Sequence, residues 1–221
     1  MSYATQARDP YSNQTKQEEI ANTVTHGIGT GLAITGLVLL VVFAGIEGSA
    51  MKVVSFAVYG TSLVLLYLMS TIYHAVQKNT LKKGLQLMDH ASIYLLIAGS
   101  YTPIMLVSVK GVWGWSLFGV LWGLAIVGIV LKIRFVGEYE IMSTVIYLIM
   151  GWLIVLFSYP ILTYLSPMAI AWLFIGGGAY SIGTVFFFME KLPFHHAIWH
   201  LFVLGGSISH FFLFLFHVLP G

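Results

Sequence analysis

The sequence predicts an all-α membrane protein: a seven transmembrane helix bundle, N-terminus cytoplasmic and C-terminus outside. Three observations predict it. Of the 221 residues, 58% are hydrophobic and only 8% carry a charged side chain, against roughly 25% charged in a soluble domain. Mean hydropathy is +0.90. So little polar surface could not cover a soluble globule, whereas lipid-facing positions are stable when apolar. The charged residues also cut the chain into tracts close to the length of about 20 apolar residues that crosses a bilayer. Finally, Lys and Arg gather on one side of the resulting topology.

The elements follow in order. Residues 1–17 are polar, of mixed charge, and lack the apolar core of a cleaved signal peptide. They are expected to be a flexible cytoplasmic tail preceding a membrane domain over 18–221. No Asp, Glu, Lys or Arg lies between Glu19 and Glu47, which sets the first span near 22–45. The tracts Lys52–Lys78, Asp89–Lys110 and Lys110–Lys132 give spans near 53–76, 88–109 and 112–133. The uncharged tract Ile141–Met189 is long enough for two, near 141–160 and 168–189. Pro160 and Pro167, with Ser158 and Ser166 beside them, mark the break. The seventh span is near 194–218. No alternation runs long enough for a β-barrel.

With seven spans, the tail and the even-numbered loops share one side. That side carries Arg8, Lys16, Lys78, Lys82, Lys83, Lys132, Arg134 and Lys191, while the other carries Lys52 and Lys110. Eight against two makes the first side cytoplasmic. Trp113, Trp115, Tyr159 and Tyr164 then fall at the outer interface, where aromatic rings sit well. Gly119-x-x-x-Gly123 and Gly176–Gly178 read as close helix packing, and the Phe186–Phe188 run as lipid-facing or packed. The net charge of +2 and the lack of basic runs point away from nucleic acid. With no cysteine, disulfides, thiolate metal sites and a Cys nucleophile are excluded.

Histidine is what remains. Polar groups inside a membrane are costly and mark function. At 1.5 Å of rise per residue, His26, His74, His90, His195, His196 and His200 come from four helices yet share the cytoplasmic third, with Asp89 at the same depth. His210 and His217 lie deeper or outside. His196 and His200, at i and i+4, share a helix face and can chelate one ion. His74 is the third candidate, with Ser70 one turn before it. Three imidazoles and an open position form the arrangement of a catalytic zinc. Asp89 could then accept a proton from the zinc-bound water, and Ser70 could polarise a substrate carbonyl. A hydrogen-bonded interior role for these histidines remains the plain alternative.

At these residues the chain resembles the haemolysin III family. Glu18–Asn22 with Thr25-His26-Gly27 is similar to that family's start, and Ser70–His74 to its second-span motif. Asp89–Pro103 is similar to the third-span motif, and His196-Ala197-Ile198-Trp199-His200 to the seventh. The family groups with the progestin and adipoQ receptors and, further out, the alkaline ceramidases. The resemblance implies a zinc held by His74, His196 and His200, with Ser70 and Asp89 completing the site. His195 is one residue off the motif, and the roles of His26, His90 and His210 stay open.

The functions expected are three. The first is a zinc-dependent hydrolase of lipid amides or esters in a bacterial plasma membrane, with membrane lipids as partners. The second is a non-catalytic sensor with structural zinc, and the third a pore-forming haemolysin. A transporter is a further possibility, since His200, Ser207 and His210 form a polar stripe.

Overall fold

The computed structural model describes residues 8–77, 79–135 and 138–220. Positions 1–7 of the expected tail, and Lys78 of the charge count, lie outside the described residues. Among the described residues, seven helices are long and apolar enough to cross a membrane: α1 Lys16–Ile46, α2 Ala50–Ala75, α3 Thr80–Val109, α4 Gly111–Arg134, α5 Glu140–Tyr164, α6 Pro167–Phe187 and α7 His195–Val218. The described residues form no strands beyond an isolated bridge from Arg8 to Thr15.

Local chemistry sets the helix ends. Thr15 caps α1 in a reciprocal box: its side chain accepts from the Glu18 N–H, and the Glu18 carboxylate accepts from the Thr15 N–H. Ser166 caps α6, and Pro167 follows in the first turn, where its missing N–H costs nothing. Pro103 interrupts α3, which continues as a π-helical turn over Ile104–Val109. The Tyr101 hydroxyl reaches α5, donating toward the Gly151 carbonyl at 2.6 Å and accepting from the Ile154 N–H at 3.1 Å. It thereby serves backbone groups where α5 tightens to a 3₁₀ turn over Leu153–Phe157.

The helices pack in sequence, α1 on α2, α2 on α3 and α3 on α4, with α6 on α7 and α7 closing against α1. The third helix is central: 72% of its spanning stretch is buried, against 22% in α1 and 17% in α6. Outer helices turn Val24, Ile28, Val38, Ile126, Val130 and Ile182 outward, as a lipid solvent demands. The α5 helix makes few contacts with its neighbours, and a cavity opens beside it. Trp113, Trp115, Tyr159 and Tyr164 are exposed together near the end remote from the N-terminus.

Three expectations change. Residues 8–17, expected within a flexible tail, fold back on the helix ends and begin α1; Gln14 and Thr15 are buried. Lys82, counted in a loop, sits inside α3 and is fully buried. Gly119 and Gly123 meet no neighbour, whereas a side chain at Gly29, Gly128 or Gly183 would run into Tyr67, Tyr94 or Trp199. The helices therefore approach closely at Gly176, where a side chain would meet His210 and the Gly206 backbone, and at other glycines the pattern did not single out.

Candidate metal centre

The end of the bundle that carries the N-terminus gathers the histidines. His74, in the last turn of α2, faces the first turns of α7, where i, i+4 spacing sets His196 and His200 side by side. Ring centroids are 5.0 Å apart for His74–His196, 5.2 Å for His74–His200 and 4.6 Å for His196–His200. One ring nitrogen from each lies within 4.8 Å of the others, so the three could hold a metal ion.

Hydrogen bonding decides which nitrogens are free. His74 Nδ1–H donates to Glu19 Oε2 at 2.5 Å, with the Asn22 amide at 3.5 Å. Thr25 gives its hydroxyl proton to the Ala21 or Asn22 carbonyl, so its oxygen accepts from His200 Nδ1–H at 3.1 Å. These two rings thus spend Nδ1 as a donor, which leaves Nε2 of each as a lone pair. His74 Nε2 is buried with no hydrogen-bond partner. An orphaned acceptor there, two further imidazoles and no thiolate fit a borderline cation such as zinc.

The neighbours sort clearly. His26 stacks on His200, centroids 3.4 Å apart and planes 13° from parallel, with Tyr67 edge-on behind it. It packs the site and is not among the three grouped rings. His195 points elsewhere: its Nδ1–H donates to the Phe186 and Phe187 carbonyls, and its Nε2 accepts from Gln14. Phe187 packs on His196. His90 lines the cavity beside Asp89, and His210 lies at its far end, bonded to the Leu173 carbonyl.

A cavity of about 170 Å³ adjoins the rings. Ser70, Asp89, His196 and His200 line one end, and Ser70 and Asp89 are both buried there. Lys132 and Glu140 border this end, and Lys132 bonds Ser143 at 3.4 Å. Away from the rings the wall is apolar, with Leu96, Ile97, Ile104, Leu173 and Phe174. From Asp89 to Ile104 the cavity follows α3 for fifteen residues, or about 22 Å.

Ser70, His74, Asp89, His196 and His200 are therefore neighbours. Glu19, Thr25 and Lys82 join them, though the sequence pattern assigns these three no site role. Glu19, Asn22 and His26 sit at i, i+3 and i+7, one polar stripe on α1, and that periodicity was the available signal.

Comparison with known proteins bears on the same residues. A family model described as Haemolysin-III related matches residues 14–211. The chain is 50% identical over 204 residues to Hemolysin-3 of Bacillus cereus, covering 92% of this chain and 93% of that one. It is 49% identical over 203 residues to the Hemolysin-3 homolog of Bacillus subtilis (strain 168), covering 92% and 95%. It is 29% identical over 203 residues to the Monocyte to macrophage differentiation factor of Homo sapiens, covering 88% and 82%.

Proposed function

Because the chain belongs to the haemolysin III family of multi-pass membrane proteins, we propose that it is a zinc-dependent hydrolase of lipid amide or ester bonds, acting in membrane lipid homeostasis. The observation that carries this reading is the adjacency of three imidazoles, a buried Ser–Asp pair and a long apolar cavity. His74, His196 and His200 would hold the ion. Bound there, zinc would supply Lewis acidity and a water ionising near pH 7.

The chain's own residues supply the rest. The apolar wall along α3 and α6 takes the substrate's acyl chain and leaves its amide or ester at the ring end. Asp89 accepts the proton of the attacking water and returns it to the leaving nitrogen or oxygen, so the proton count closes. Ser70 orients Asp89 and can turn its hydroxyl toward the substrate carbonyl. His26 and Phe187 flank the rings and keep bulk water off them. The bias of Lys and Arg toward the tail and the even-numbered loops supports a cytoplasmic N-terminus and, with it, a cytoplasmic position for this end. The scissile bond then lies at the inner leaflet.

A second reading, a sensor with structural zinc, draws on the human relative, whose name describes a differentiation factor. The name Hemolysin-3 speaks for lysis by the bacillus relatives. Against a pore stands a tight core of Leu40, Phe56, Tyr59, Leu213 and Phe214. The deciding experiment offers lipid amides and esters in mixed micelles to the purified zinc-loaded protein and to Asp89→Asn. Turnover that falls by about 10²-fold or more in the variant supports hydrolysis. A zinc-replete protein that cleaves none of them, or an Asp89→Asn variant with full turnover, contradicts it.

A further inference from the structure

We infer that Glu19 is the positioning residue of the metal centre, and that residues 9–14 are a strap that fixes it in place. The inference rests on the zinc reading above and concerns residues outside the three-ring set.

Glu19 sits on α1, only 4% exposed. A carboxylate at that burial is costly unless its oxygens are satisfied. Here they are. Oε2 accepts from His74 Nδ1 at 2.5 Å, while Oε1 accepts from Lys82 Nζ at 3.0 Å and from Ser12 Oγ at 2.5 Å. Lys82 is itself fully buried, lies over the Tyr73 ring at 4.6 Å and pairs with Asp9 Oδ2 at 3.4 Å. Asp9 uses its other oxygen to accept from the backbone N–H groups of Tyr11 and Ser12, at 2.9 and 3.1 Å. This Asx-type turn shapes the strap. Further on, Gln14 donates to His195, the neighbour of His196, and Gln86 of α3 donates to the Tyr11 carbonyl.

A single chain of contacts therefore runs Asp9–Lys82–Glu19–His74, with a side branch from Gln14 to His195. The strap ties α1, α3 and the start of α7 together around the rings. The commitment of Nδ1 to a carboxylate fixes the tautomer of His74 and strengthens Nε2 as a donor to an ion, which is the usual effect of an outer carboxylate on a ligating imidazole. A simple structural link would need only a neutral hydrogen bond.

The test measures zinc affinity by competition with a chromogenic chelator, and the visible absorption of the cobalt-substituted protein. Folding is followed separately by gel filtration and thermal unfolding of the metal-free forms. Glu19→Gln keeps the shape and an acceptor oxygen but loses the charge. It is expected to weaken zinc binding about tenfold or more and to change the cobalt bands. Glu19→Gln with Lys82→Met removes both charges of the buried pair. Stability should return toward wild type while zinc affinity stays low. Asp9→Ala should weaken zinc binding in the same direction and by less.

Wild-type affinity in Glu19→Gln overturns the inference and leaves the zinc reading standing. So does recovery of affinity together with stability in the double variant, because Glu19 would then be only a structural strut. A wild-type protein that retains no zinc overturns both.

Discussion

His195 and His196 are adjacent in the chain, yet they do different work. The first spends both nitrogens on protein partners, a pair of α6 carbonyls and the Gln14 amide. The second turns into the group of three rings. His195→Ala should therefore cost stability, about 1–3 kcal/mol for the partners left unsatisfied in a buried place, and leave zinc content intact. Thermal unfolding and metal analysis of one preparation check both halves. Loss of zinc with unchanged stability would reverse the assignment. Glu19 and Lys82 teach a different lesson at this scale. In the sequence Glu19 reads as the border of the first span and Lys82 as a loop charge, because counting charges per tract cannot see that two opposite charges bury each other. His196 and His200 were legible because helical spacing alone puts them on one face.

Within the elements, close approach is set by which glycine faces a ring. A Cβ on Gly128 would overlap Tyr94, which packs from α3 against α4, whereas one on Gly123 would meet nothing. Gly128→Leu should thus destabilise by about 1–3 kcal/mol through overpacking. Gly123→Ala should unfold at or above the wild-type temperature, since alanine is the better helix former. Unfolding in detergent tests the pair, and equal effects would contradict the packing described. The G-x-x-x-G spacing misled because a stripe of small residues carries no information about which neighbour, if any, lies opposite. The ends of α1 and α6 were readable, because Thr15 with Glu18 and Ser166 with Pro167 are local signals. The shared service of Tyr101 to the α5 backbone was not, since it joins residues about fifty positions apart.

Across the whole molecule, hydropathy and charge were enough for seven helices, because a bilayer imposes their length and their apolar faces. The way the helices close into a ring, with α3 at its centre and a cavity beside the thinly packed α5, depends on lateral contacts that no single tract encodes. Orientation can be tested simply, since the chain has no cysteine of its own. In intact cells, Val112→Cys at the start of α4 should react with a membrane-impermeant maleimide. Glu138→Cys, between α4 and α5, should react only after lysis. The reverse pattern would invert the topology and move the rings to the outer leaflet.

The proposed function stands on a metal ion held at the meeting of α2 and α7. Its most direct measurement is the zinc content of purified protein beside that of a variant carrying both His196→Ala and His200→Ala. Stoichiometric zinc in the wild type and none in the variant, with both forms folded, is the predicted result. Equal zinc in the two, or none in either, would contradict it.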